Sequence, residues 1–158
     1  MRALAIDLGD KRTGLALGDS HTGIAAPLGL IEIPITDAGG NALLTALAKA
    51  VDEHTDPADT ILVGLPLNMD GTEGPRAKLT RAFAARLSER IGREIVLIDE
   101  RKTSQMADAR LAQTGLTHKQ KKKRRDAIAA AAICQAFLED PPSARADPYS
   151  SEEKPKPT

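Results

Sequence analysis

The stretch ALAIDLGDKRTGLALG, residues 3–18, decides the fold. Ala3 to Leu8 is a short apolar run interrupted by Asp7, and Thr13 to Gly18 is a second run. Gly9-Asp10-Lys11-Arg12 between them is built from turn formers. A parallel partner needs a long crossover, so two strands this close form an antiparallel hairpin. Working outward, Ile24–Pro34 offers a third strand, ended by Pro34. The period then changes. Leu43, Leu44, Leu47 and Val51 share one face of a helix over Asn41–His54. Thr60–Leu65 is a continuous β-rich run. A second helix opens between Thr72 and Pro75, carries Leu79, Phe83, Leu87 and Ile91 every fourth residue, and stops at Gly92. Glu94–Ile98 reads as another strand. Thr103 caps a helix running to Gln113, and a last helix spans about Arg125 to Leu138. Three antiparallel strands followed by alternating helices and strands imply an α/β fold: one mixed five-stranded sheet with helices packed on it.

A chain of 158 residues fits one domain, expected over residues 1–140. Residues 141–158 are rich in Pro, Ser and charge and read as a disordered tail. With one Tyr, two Phe and no Trp, the core must be aliphatic. The same scarcity argues against modules that bind single strands by stacking bases on aromatic rings. Formal net charge is zero, but five acids and three bases after Leu138 leave +2 on residues 1–138. The lone Cys134 cannot form an internal disulfide, and no run approaches the ~20 apolar residues that span a bilayer. A reducing cytoplasm and no membrane partner are expected. His21, His54 and His118 lie far apart, without zinc spacing.

Acids stand at three element ends. Asp7 closes the first strand, Asp99-Glu100 follow Ile95-Val96-Leu97-Ile98, and Asp126 opens the last helix. Each has an ordinary explanation: a turn former, a solvated strand exit, a helix-start acid favoured by the dipole. Together they suggest a site, because ligands bind where strand ends cluster. Two of the acids would end neighbouring central strands. Converging carboxylates repel, and divalent cations with a taste for hard oxygen remove that cost. Alternation allows only one of Asp99 and Glu100 to face such a site, and the all-apolar run before them does not say which.

Four blocks then resemble the YqgF/RuvX-type family of Holliday-junction resolvases, also described as pre-16S rRNA nucleases. They are Ala5–Gly9 with Lys11–Ala16, then Val63–Thr72, then Ile98–Arg101, and Asp126–Ala131 followed by Ile133 and Gln135. The resemblance covers nearly all of residues 1–140. It implies an RNase H-like fold and a nuclease whose catalytic, metal-binding carboxylates are Asp7, Glu100 and Asp126. It implies Mg²⁺ as cofactor, with Mn²⁺ as a substitute. Lys102, Ser104 and Arg125 depart from the family's usual residues without removing any of the three acids.

Lys119, Lys121, Lys122, Lys123, Arg124 and Arg125 are six bases in seven residues, leading into Asp126. A solvated loop would explain them. Beside a phosphate-cleaving centre, a basic loop would instead hold the nucleic-acid backbone without reading sequence. Lys11 and Arg12 add to the same patch, and Arg101 either braces a carboxylate or touches phosphate. The expected function is therefore a metal-dependent nuclease acting on structured nucleic acid. The expected role is 5′-end maturation of pre-16S rRNA, with Holliday-junction resolution as the alternative. A non-catalytic nucleic-acid-binding adaptor is a third reading. End processing needs a monomer, and paired cuts at a junction favour a homodimer.

Overall fold

The computed structural model describes residues 1–101 and 118–140, with the side chains of the last helix described from Ala127 onward. Strands β1 (Arg2–Leu8), β2 (Thr13–Asp19) and β3 (Ile24–Ile31) form an antiparallel meander. Helix α1 (Asn41–His54) leads to β4 (Thr60–Leu65), and α2 (Pro75–Ile91) leads to β5 (Ile95–Asp99). Both of these strands run parallel to β1, in the order β3-β2-β1-β4-β5. Helix α3 (His118–Glu139) closes the described fold. The helix expected over Thr103–Gln113 and the tail expected over 141–158 lie outside the described residues.

The first turn is tight for a physical reason: a Cβ on Gly9 would overlap the Arg12 carbonyl oxygen. Helix α2 starts with Pro75 at its N-terminus and stops at Gly92, which adopts φ 66°. That is the left-handed conformation that glycine takes without strain.

Alternation along the strands divides the sheet into two unlike faces. Leu4, Ile6, Leu8, Ile61, Val63, Leu65 and Leu97 pack against α1 and α2 with Leu43, Leu47, Phe83 and Leu87. Ala3, Ala5, Ala16, Leu62, Val96 and Ile98 pack instead with Ala130, Ala131, Ile133, Cys134 and Phe137 of α3. Small residues on both partners let this helix lie close. Cys134 Sγ stands 3.6 Å from the Ala3 carbonyl oxygen. A Cβ on Gly18 would come within 2.5 Å of that sulfur. Gln135 of α3 donates to Gly23 O (2.8 Å) and accepts from Ala25 N (3.1 Å), fastening the start of β3.

Four expectations need correction. The strand ending in Asp99 is not a neighbour of β1. It is the edge strand, and β4 lies between them. The basic run is not a loop ahead of the last helix but its first two turns, since α3 begins at His118, and Asp126 lies in the third turn rather than opening the helix. Long basic side chains are good helix formers, so their charge did not mark a boundary. Strand β3 stops at Ile31 rather than Pro34. It carries Pro27 internally, which an edge strand tolerates, and its register with β2 shifts between Leu15 and Ala16. Leu79 is exposed, and Ala77, Thr80, Phe83, Ala84 and Leu87 form the buried face of α2.

Candidate active site

The strand faces resolve which acid of the Asp99-Glu100 pair joins Asp7. Ala3 and Ala5 point to α3, so Asp7 continues that face. Val96 and Ile98 do the same on β5, so Glu100 follows them and Asp99 falls on the α2 side. Glu100 lies just past the end of β5, where a helical turn opens. From the edge of the sheet it must reach across β4 to meet Asp7, and Gly64 makes room. A Cβ at Gly64 would overlap Glu100 Oε1 and stand 2.5 Å from Ile133 Cδ1. The two carboxyl groups share a hydrogen bond.

Burial pushes the Glu100 carboxyl up to about 8. The neighbouring Asp7 charge and the hydrogen bond to it add to the rise, and the Arg76 guanidinium opposes it. At neutral pH the Asp7–Glu100 pair therefore keeps a proton. A pair of half-buried carboxyl groups that keeps a proton near neutrality is a donor set short of positive charge. Its chemistry, hard oxygen at close range, suits a divalent cation. Among the described residues no third His, Cys, Asp or Glu joins this pair.

Asp126 is the remaining expected acid. It lies on α3, and its side chain is outside those described. Its position is nonetheless informative. Asp126 precedes Ala130 and Ile133 by four and seven residues, the spacing of one helical stripe. Both are buried against the sheet, and Ile133 lies over Gly64. The helix descends from there to Cys134 beside Ala3. Its preceding turns therefore rise toward the C-terminal ends of β1 and β4. Lys119, Lys121, Lys122, Lys123, Arg124 and Arg125 occupy those turns.

The other basic candidates are described. Lys11 is exposed in the β1–β2 turn and Arg12 is half-buried there. Arg101 folds back on Asp99, its Nε and Nη2 forking onto the carboxylate at 2.9 and 2.6 Å. Its Nη1 donates to the Met69 carbonyl at 3.3 Å. The sequence places Gly64 only within the Val63–Thr72 block and does not mark it as the space for Glu100. Arg76 escaped notice in the sequence: it donates to Leu8 O at 3.1 Å and pairs with Asp10, joining the first turn of α2 to the strand end that carries Asp7. A cation in the first turn of a helix opposes the dipole, and that misfit is the signal that marks it.

A family model described as RuvX, Holliday junction resolvase, matches residues 1–140. The chain belongs to this family. A relative from Geobacillus kaustophilus, named provisionally a pre-16S rRNA nuclease, is 40% identical over 139 residues. That match covers 88% of this chain and 98% of the relative. A Thiobacillus denitrificans relative of the same provisional name is 43% identical over 136 residues, covering 86% of this chain and 90% of its own. Among solved structures, RuvC from T. thermophilus in complex with Holliday junction substrate superposes with a TM-score of 0.54 at 13% identity. The match covers 84% of this chain and 91% of that one. At that identity the likeness speaks for the fold alone, and the fold is RNase H-like as expected for a RuvX-family chain. Among the described residues, no helix is long and apolar enough to cross a membrane.

Proposed function

We propose that this RuvX-family chain is a divalent-metal-dependent nuclease that hydrolyses phosphodiester bonds in structured nucleic acid, with maturation of the 5′ end of precursor 16S rRNA as its role. The observation that carries the reading is the meeting of Asp7 and Glu100 over Gly64. Asp7, Glu100 and Asp126 would hold the cation, Mg²⁺ or Mn²⁺. When bound, it supplies Lewis-acid activation of water and of the leaving oxygen. The chain's own part is to fix the acids. The end of β1 aims Asp7, the absent side chain at Gly64 admits Glu100, and α3 carries Asp126. Arg76 tethers the Leu8 carbonyl beside Asp7 and lends positive charge to Glu100. The basic turns of α3, with Lys11 and Arg12, would neutralise backbone phosphates, so affinity falls steeply with salt. This substrate goes with a cytoplasmic location.

The relatives' names favour precursor rRNA. The family's description favours a four-way DNA junction as the second reading. Both offer duplex backbone near a branch or end. The test presents labelled junctions and precursor rRNA side by side to purified protein with Mg²⁺. The expected result is cleavage of the RNA by wild type and none by Asp7→Asn or Asp126→Asn, all three with the same circular dichroism. Undiminished cleavage by Asp7→Asn overturns the metal-nuclease reading. Symmetric cutting of the junction alone, by a dimer, replaces the substrate with the second reading.

A further inference from the structure

Beside the acid pair lies a loop, residues 66–74, that joins β4 to α2 and is unusually well bonded for a connection. Asn68 N donates to Thr72 O (2.9 Å) and Gly71 N to Asn68 O (2.8 Å). Asn68 Nδ2 donates to Thr72 Oγ1 (3.0 Å). Thr72 N and Oγ1 both donate to Asp70 Oδ1, at 3.0 and 2.6 Å. The loop thus has a shape of its own, and Gly71, at φ 86°, makes the turn that only glycine takes freely. Its tip is exposed, Met69 to 77%.

Only one described side chain from outside the loop is seen to bond its tip: Arg101 Nη1, on the Met69 carbonyl. The same guanidinium lies 3.3 Å from where a Cβ on Gly71 would stand. Arg101 Nε and Nη2 donate to Asp99, and its backbone N–H also donates to Asp99 Oδ1 at 2.9 Å. Asp99 and Arg101 flank Glu100. Their bonds close a ring around its backbone on the α2 side of the sheet. Glu100 is thereby left the opposite side, toward α3 and Asp7.

We infer that Arg101 is a positioning residue and not a contact to the nucleic-acid backbone. Clamped on Asp99, it fixes the backbone of Glu100 and ties it to the tip of the 66–74 loop. The acid and the exposed loop beside it are then one rigid unit. This rests on the proposed nuclease reading for its effect on cleavage, but the clamp itself can be read without any activity. A guanidinium suits the task because its planar fork meets a carboxylate with two bonds and still has a donor to spare. A lysine keeps the charge and loses the fork.

The test compares Arg101→Lys, Arg101→Gln, Asp99→Asn and the double variant Asp99→Asn/Arg101→Gln. The chain has three methionines, so protein carrying ¹³C-methyl methionine reports Met69 as one of three resonances, assigned by Met69→Leu. The inference expects every variant to move or broaden the Met69 signal alike. It expects duplex affinity, measured in EDTA, and its salt slope to stay at the wild-type value. It expects cleavage to fall about 100-fold, the loss typical of an ångström's misplacement. The double variant should lose no more than either single one, as partners in one interaction do. If Arg101→Lys binds and cuts like wild type while Arg101→Gln loses affinity and nearly one unit of salt slope, Arg101 is a phosphate contact and the inference fails. An unmoved Met69 signal in Arg101→Gln also overturns it. Asp7→Asn serves as control: should it cut normally, the nuclease assignment falls while the methyl signals still judge the clamp.

Discussion

Gly64 has no side chain to offer, and its emptiness lets Glu100 reach Asp7. Gly64→Ala places a methyl group where Glu100 Oε1 now lies and 2.5 Å from Ile133 Cδ1. Either the carboxyl group or α3 must give way. The expected outcome is a loss of about 100-fold in kcat, with a stability cost of about 1–3 kcal/mol from overpacking. Steady-state cleavage and urea unfolding measure the two separately. Glu100 itself makes stability depend on pH. Its carboxyl is raised from 4.5 to about 8 in the folded chain. Between those values the unfolded chain has released the proton and the folded chain keeps it. Stability therefore falls as pH climbs through that window, and the penalty is complete above about 8. Thermal midpoints of protein in EDTA should show this decline, and Glu100→Gln should flatten it. Thr13 is a separate case. It is fully buried, and its hydroxyl has no hydrogen-bond partner among the described residues. Thr13→Val keeps the shape and removes the orphan. The expected gain is about 1 kcal/mol, seen as a higher urea midpoint at an unchanged slope.

At the scale of elements, α3 has two halves of unlike composition. Its second half is small and apolar and packs on Ala3, Ala5 and Ala16. Its first two turns carry the six bases. Changing Lys121, Lys122 and Lys123 to Glu should leave the thermal midpoint near wild type and weaken nucleic-acid binding. The slope of log K against log salt should shrink by roughly 0.9 per lost contact on duplex DNA. An unchanged slope in fluorescence anisotropy would remove these residues from the interface. The same helix shows where local reading stops. Periodicity placed α1 at Asn41–His54 and β4 at Thr60–Leu65 because their apolar patterns are regular. It placed the start of α3 seven residues late, since a run of like charge resembles a solvated loop until the helix is continued through it. Asp7 was legible as a candidate from its strand-end position. The choice of Glu100 over Asp99 was not, because Ile95 to Ile98 are apolar on both faces and only packing partners distinguish them. Gly64 and Arg76 meet partners far apart in the chain: the misplaced charge singles out Arg76, but nothing local names Leu8 as its partner or Glu100 as the group that Gly64 admits.

For the whole molecule, the acid pair is a site where a proton and a cation would compete. Binding of Mg²⁺ should displace the proton from Glu100, so cation affinity should rise with pH through the window given above. The cation should raise the thermal midpoint of wild type by linkage and leave that of an Asp7→Asn/Glu100→Gln protein unmoved. Calorimetry in two buffers of different ionisation heat measures the proton released, and a value of zero would separate the cation from the acids. The order of strands has a last consequence. Asp7 sits on the central strand, delivered by the first hairpin, and Glu100 arrives only when the outermost parallel strand has docked on β4. A copy in which β5 is undocked therefore holds Asp7 without Glu100 beside it. On the proposed reading, a chain in which β5 has not docked would leave nucleic acid around it uncut, since Asp7 alone would not hold the cation.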